Sequence, residues 1–331
     1  MEVPDYDLPE AAIAQTPVEP RDSARLLDAV DPGGRIVHRA VSDLPEMVGP
    51  GDVVVVNDSR VIPARLRLVK STGGAAEVML LEPEPGPEGA WTALVRPGRR
   101  LPPGTRLGIP GRPPVVEIGE RLGDGRRRVR LLAEPAEVLA SVGEMALPPY
   151  ITTRLEDPQR YQTVYADRPG SVAAPTAGLH LTGELLDRVR ARGAAVHTVD
   201  LAVGLGTFRP VSSERAEEHE MHSERYRVPA ATWQACREAD RVIAIGTTTV
   251  RALETAAATD RLEGESRLFI RPGFTFSVID VLLTNFHMPR STLLLLLEAF
   301  AGPRWRDIYR VALNAGYRFL SFGDAMIVGR P

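Results

Sequence analysis

Twenty of the 29 prolines in this 331-residue chain fall before residue 151. That imbalance constrains the fold more than any single motif, because proline lacks a backbone donor and is excluded from helix interiors and central strands. Between about residues 62 and 150 the pattern is short β runs, such as 77–81, 91–95, 115–118 and 128–132, separated by Gly and Pro turns. Such spacing predicts a small antiparallel β-barrel. Beyond residue 150 strands and helices alternate: helix 185–192 stopped by Gly193, strand 195–203, helix 230–240, buried strand 242–245, helix 250–258 and strand 276–283. That alternation is the mark of an α/β domain. Upstream, 13–17 and 21–27 read as extended or turn-like, Gly51-Asp52 as a turn and Val53–Val56 as a fully buried strand. The expectation is a multidomain α/β chain: an α/β sandwich domain from 1–61 and 151–331, with an inserted small antiparallel barrel at 62–150.

Composition removes several classes of chemistry. Cys236 is the only cysteine, so an internal disulfide or a Cys cluster has no residues to draw on. Lys70 is the only lysine among 40 basic residues, which leaves a Schiff base one candidate, in what reads as exposed loop. The leucine run 293–297 is cut by Glu298, short of a membrane span, and the acidic N-terminus lacks a basic-then-apolar signal pattern. A cytoplasmic protein is expected. The net charge of -3 hides a local excess: ten Arg against three acids between Trp91 and Arg130. A solvated basic face and a footprint for nucleic-acid phosphates both fit that excess.

Six polar clusters interrupt the apolar framework. Asn57-Asp58-Ser59-Arg60 follows a buried strand, the end at which α/β sheets bind ligands, although Asp58 and Arg60 also suit a simple ion pair. Residues 173–180 are small up to His180, which reads as an acid/base group or as a hydrogen-bonded core histidine. Gly204 and Gly206, before Thr207, form a GxG too short for a dinucleotide fingerprint. His219, His222 and Glu224 are dense in potential ligands but do not follow the HExxH metal spacing. Gly246-Thr247-Thr248 lies between a strand and a helix carrying Arg251 and Glu254, a generic anion- or nucleoside-binding arrangement. Leu282–Thr292 adds a polar knot of Thr284, Asn285 and His287, then Pro289, then Ser291 or Thr292 where a helix N-cap belongs.

Together these motifs resemble the S-adenosylmethionine:tRNA ribosyltransferase-isomerases of queuosine biosynthesis. The likeness also takes in 13–14, 21–27, 51–66, 161–165, 204–211, 272–274 and 317–326, and so covers nearly the whole chain. The resemblance implies an α/β catalytic domain with an inserted barrel. It implies transfer and isomerisation of the ribosyl group of S-adenosylmethionine onto 7-aminomethyl-7-deazaguanine in a tRNA anticodon, giving epoxyqueuosine-tRNA, adenine and methionine. S-adenosylmethionine is then a consumed cosubstrate, no metal is expected, tRNA is the partner, and no membrane or protein partner is indicated. The chemistry asks for a base at the acidic C5′, an acid for departing adenine and a neutral amine, all acid/base tasks. The candidates are His180, His222, Glu224, His287 and Asp58. Expected substrate contacts are Asn57, Arg60, Arg65, Thr176, Gly178, Gly204, Gly206, Thr207, His219, Gly246, Thr247, Thr248, Arg251, Glu254, Thr284, Asn285, Ser291, Thr292 and Asp324, with the Ser291/Thr292 helix start facing the methionine carboxylate. Arg96, Arg99, Arg100, Arg126, Arg127 and Arg128 are expected to meet tRNA phosphates. The chain departs from the family pattern at Ala202, where His is usual, at Arg271, where Tyr is usual, and at Leu181 and Glu298. Two alternatives follow from Ala202: a paralogue that consumes S-adenosylmethionine with a small-molecule acceptor, and a non-catalytic tRNA-binding relative.

Overall fold

A computed structural model describes residues 2–31, 33–84, 89–123, 125–204, 216, 221 and 223–330. The chain divides into two compact units, one of 1–60 with 148–331 and one of 61–147.

In chain order the first strands are β1 (Arg25–Ala29), β2 (Val37–Ala40), β3 (Asp52–Asn57) and β4 (Ser59–Val61). The second unit holds β5 (Arg65–Lys70), β6 (Ala75–Pro83), β7 (Ala90–Arg96), β8 (Arg106–Gly108), β9 (Pro114–Gly123), β10 (Arg126–Leu131), helix α1 (Pro135–Val142) and β11 (Gly143–Glu144). Its antiparallel sheet runs β11-β5-β6-β7-β10-β9-β8, and β5 also pairs with β8, which closes six strands into a barrel. Closure leaves those strands without free edges. Leu66, Leu68, Val78, Leu80, Ala93, Val95, Val116, Ile118, Val129 and Leu131 point inward at alternate positions. The expected antiparallel barrel is present. Helix α1 and the short β8 carry too weak a pattern to be read in advance.

The first unit continues with β12 (Arg168–Ser171), α2 (Gly183–Ala191), β13 (Ala195–Leu201), β14 (Glu224–Arg227), α3 (Ala230–Glu238), β15 (Arg241–Ile245), α4 (Thr247–Thr259), β16 (Glu263–Ser266), β17 (Val281–Asn285), α5 (Thr292–Ala301), α6 (Trp305–Asn314) and β18 (Ala325–Gly329). Among the described residues its main sheet has the order β16-β14-β13-β3-β15-β17-β18-β1-β2. The central β13, β3, β15 and β17 are parallel, so their carboxyl ends lie on one edge. Helices cover both faces, which is why β3 is buried at all six positions rather than alternating with water. Val53 and Val55 pack on one side with α4, α5 and α6, while Val54 and Val56 pack on the other with α2. Met326 and Val328 alternate in the same way against Ala325 and Ile327.

Two elements differ from the sequence reading in ways that shape the site. Helix α4 starts at Thr247 rather than Val250, so the three threonines are its first turn. Gly246 provides the turn before it at φ 89°, a left-handed value that favours glycine. The strand expected from Phe276 begins only at Val281. Glu254 on α4 accepts the backbone N–H groups of Ser277, Val278 and Ile279 at 2.9–3.1 Å, which commits that segment to a turn.

Candidate active site

A cleft opens at the carboxyl ends of β15 and β17, the position at which parallel sheets present loops and helix N-termini to a ligand. Thr176, Gly246, Thr247, Thr248, Thr284, Asn285, His287 and Ser291 line it, and Ala174, Pro175, Val203, Phe286, Met288 and Leu320 add apolar wall. Tyr150 and Ser321 also line it, joined hydroxyl to hydroxyl at 2.7 Å. Sequence reasoning did not single out Tyr150 or Ser321. Tyr150 follows Pro148-Pro149, and only its isolation as a polar ring after a proline pair hinted at a role.

Each wall is fixed by hydrogen bonds. Asn57, wholly buried at the end of β3, donates to the Leu201 carbonyl at 3.0 Å and to Thr248 Oγ1 at 3.1 Å, and its Oδ1 accepts from Leu201 N. It thus ties β3, β13 and the start of α4 together. Asn285 accepts from Thr176 Oγ1 at 3.0 Å and donates to His180 Nε2 at 3.0 Å. Because the amide nitrogen can only donate, His180 Nε2 accepts and the ring proton sits on Nδ1. Burial pushes the His180 pKa down to about 4, with Arg318 and Arg160 adding to the effect. Burial alone pushes that of His287 down to about 3. Both imidazoles are neutral at pH 7. His287 Nε2 lies 3.2 Å from Thr284 Oγ1, and its backbone is clamped by Tyr309 Oη on the N–H and Tyr6 Oη on the carbonyl.

At the start of α5, Ser291 Oγ accepts from Leu294 N and donates to the Met288 carbonyl. Thr292 is the first residue of that helix. Gly178 is buried in the 3-10 turn Thr176–His180, where a Cβ would collide with the Tyr165 hydroxyl, so packing accounts for this glycine. Asp324 is spent on the Arg25 and Arg318 backbone N–H groups. The Glu254 carboxylate, expected to contact substrate, is consumed by the three N–H groups described above. Glu224 and Arg251 form a buried ion pair, with Gly204 N donating to Glu224 Oε1 at 3.2 Å. Arg60 is exposed on β4, and Arg65 belongs to the barrel unit, 3.9 Å from Glu77.

Asp58 does not line the cleft. It faces a second acidic group, where burial and the charge of Asp200 hold its carboxyl above the usual range against a Thr198 hydrogen bond. Asp200 is raised too, mainly by burial. Gly206, Thr207, His219 and His222 lie outside the described residues. Among the described residues no group of three or more His, Cys, Asp and Glu is placed to hold a metal, and no helix is long and apolar enough to cross a membrane.

The arginine cluster of the barrel divides on inspection. Arg127 is buried and donates to the carbonyls of Gly98, Leu101 and Gly119, at 2.7–3.2 Å. Arg128 pairs with both Glu84 and Glu120, and Arg126 is half-buried. The expected phosphate footprint therefore contracts: Arg127 holds the barrel together and Arg128 is neutralised, while Arg96, Arg99 and Arg100 are exposed.

A family model described as "Queuosine biosynthesis protein" matches residues 2–328. The S-adenosylmethionine:tRNA ribosyltransferase-isomerase of Rubrobacter xylanophilus is 51% identical over 325 residues, covering 98% of this chain and 96% of its own. That of Thermus thermophilus is 50% identical over 348 residues, covering 99% of each. The crystal structure of the S-adenosylmethionine tRNA ribosyltransferase from Thermotoga maritima superposes with a TM-score of 0.55 at 36% identity, over 98% of this chain and 99% of that one.

Proposed function

This chain belongs to the queuosine biosynthesis protein family, and on that premise we propose that it is an S-adenosylmethionine-dependent ribosyltransferase-isomerase acting on tRNA. It transfers and isomerises the ribosyl moiety of S-adenosylmethionine onto 7-aminomethyl-7-deazaguanine in the anticodon, leaving epoxyqueuosine-tRNA and releasing adenine and methionine. The observation that carries this reading is end-to-end similarity: half of all positions are identical to enzymes of that name over nearly the full length of both chains. We place the reaction in the cytoplasm, with tRNA as the partner.

The cleft supplies what the chemistry requires. A sulfonium acidifies the neighbouring C5′ protons, and a base that removes one must be unprotonated at neutral pH. His287 is the candidate base on geometry: it lines the cleft, its Nε2 lies 3.2 Å from Thr284 Oγ1 and its backbone is clamped from both sides. His180 is a positioning residue: it fixes the Asn285 amide, and through it Thr176, on the cleft wall. Gly246, Thr247 and Thr248 present the first turn of α4 to the nucleoside, held in place by Asn57. Arg96, Arg99 and Arg100 meet tRNA phosphates, giving salt-dependent affinity.

The test is adenine release. Purified protein is incubated with S-adenosylmethionine, with and without tRNA bearing the deazaguanine, and adenine and the modified nucleoside are followed by mass spectrometry. Adenine formed only with that tRNA, matched by mass gain on the nucleoside, is the expected result. Folded protein that yields no adenine with either tRNA sample sinks the proposal.

A further inference from the structure

We propose that Arg251 receives the carboxylate of the amino-acid end of S-adenosylmethionine; this deepens the reaction assigned above and rests on it. Arg251 lies four residues after Thr247 on α4, so the two share a helix face, and Thr247 lines the cleft. The Arg251 side chain is only 8% exposed. Nη1 is committed to Glu224, while Nε and Nη2 are buried without a hydrogen-bond partner among the described residues. Those two nitrogens form one edge of the planar guanidinium. Their N–H bonds run parallel, at the spacing of the two oxygens of a carboxylate.

Other arginines show why this edge stands out. Arg127 also has a buried, unpartnered Nε, but its Nη2 is taken by the Gly119 carbonyl. Among the described residues no other arginine leaves both nitrogens of the Nε–Nη2 edge buried and unpartnered. Charged donors are rarely left so in an interior. The pair is joined to the chain beside the cleft: Glu224 accepts from Gly204 N, and the preceding Val203 is part of the cleft wall. A planar carboxylate at the end of a flexible chain suits so enclosed an edge better than a phosphate, which enters with a sugar on either side. The rival position, the start of α5, already uses the Ser291 hydroxyl on Leu294 N and the Met288 carbonyl.

Titration calorimetry on the full chain tests this with two probes, S-adenosylmethionine and its decarboxylated analogue, which keeps the sulfonium and the nucleoside. Wild-type protein is expected to prefer S-adenosylmethionine by ~100-fold, the scale of a bidentate charged pair. Arg251→Gln should lose that preference by weakening S-adenosylmethionine alone. Arg251→Lys, which keeps the charge but not the fork, should keep only a fraction of it. The inference fails if either folded variant retains the full preference, or if Arg251→Gln weakens both probes equally, as a purely structural residue would. It also fails if S-adenosylmethionine binding is unchanged while tRNA binding weakens with a shallower salt dependence, the mark of a phosphate contact. Wild-type protein that binds both probes equally overturns this inference and leaves the reaction standing, whereas wild-type protein that binds neither probe and releases no adenine overturns the reaction itself.

Discussion

Arg127 in the barrel and Arg251 on α4 are both buried arginines, yet their surroundings differ in kind. Arg127 meets backbone carbonyls at three places, supplied by the barrel's own turns and strands. Arg251 meets a carboxylate that is itself gripped by a backbone N–H, at the end of a parallel sheet where loops converge. An arginine spent on carbonyls closes a fold and has little left for a ligand. One held by a single carboxylate is fixed in direction and keeps donors to offer. The same contrast runs through the carboxylates: Glu254 is exhausted by three N–H groups, while Asp58 Oδ1 is buried without a partner among the described residues. Burial alone does not separate structural from functional polar groups; the accounting of their hydrogen bonds does.

The largest effect that tests this comparison is at His287. His287→Ala should lower the rate of adenine release by roughly 10²–10⁴-fold, the range for a general base, while S-adenosylmethionine binding changes little. A rate within a few-fold of wild type in single-turnover assays would move the base elsewhere. Next comes Arg127→Leu, which leaves three carbonyls short of a donor and should cost about 2–4 kcal/mol of barrel stability. Denaturant melts measure that cost. The comparison breaks if the variant keeps its stability but loses turnover per folded molecule.

The α/β class and the barrel were legible because they are written in period and punctuation. Alternation of strand and helix after residue 150, and Gly/Pro spacing before it, need no tertiary information. So was most of the cleft wall, since Gly246–Thr248 and Thr284–Ser291 stand out as polar stretches at the ends of apolar strands. What stayed hidden depends on pairing across the chain. Glu254 reads as a ligand contact until Ser277–Ile279 is seen to fold back on it. Arg127 and Arg128 read as a basic face until one turns inward and the other meets Glu84, 44 residues away. Tyr150 gains its place only through Ser321, 171 positions on. Local sequence shows which residues are polar, but only the fold shows what each is spent on.

A smaller effect concerns acid. His180 has its folded pKa depressed by burial to about 4, below the unfolded value near 6.5. Between those values the unfolded chain binds the proton and the folded one does not. The stability this group contributes is therefore complete above about pH 6.5 and is lost as pH falls toward 4. His287, depressed further, acts in the same direction. His180→Gln should flatten the acid limb of a stability–pH curve measured by denaturant melts. An unchanged limb would mean that the ring is protonated in the folded state and hydrogen-bonded differently from the geometry seen here. Smaller still, replacing Arg96, Arg99 and Arg100 together with Gln should reduce the slope of log affinity for tRNA against log salt by about 2. A slope change of similar size on replacing Arg128 instead would contradict its neutralisation by Glu84 and Glu120.

The smallest effect is expected at Ala202, where the family pattern has an imidazole. Ala202 follows β13, is half-buried, and donates its N–H to the Arg225 carbonyl at 3.0 Å. Its neighbour Val203 lines the cleft, so a side chain at 202 stands next to the wall rather than in it. The base role assigned above falls to His287, with Asn285 and Thr176 held by His180, and none of these contacts passes through position 202. Ala202→His should then change adenine release by no more than about twofold, within the ±0.5 kcal/mol usual for substitutions away from packed or charged features. A gain of tenfold or more would show that the imidazole belongs to the reaction and that this chain runs without it. It would also move the proton-handling group from the β17 side of the cleft to the end of β13, next to the Glu224–Arg251 pair.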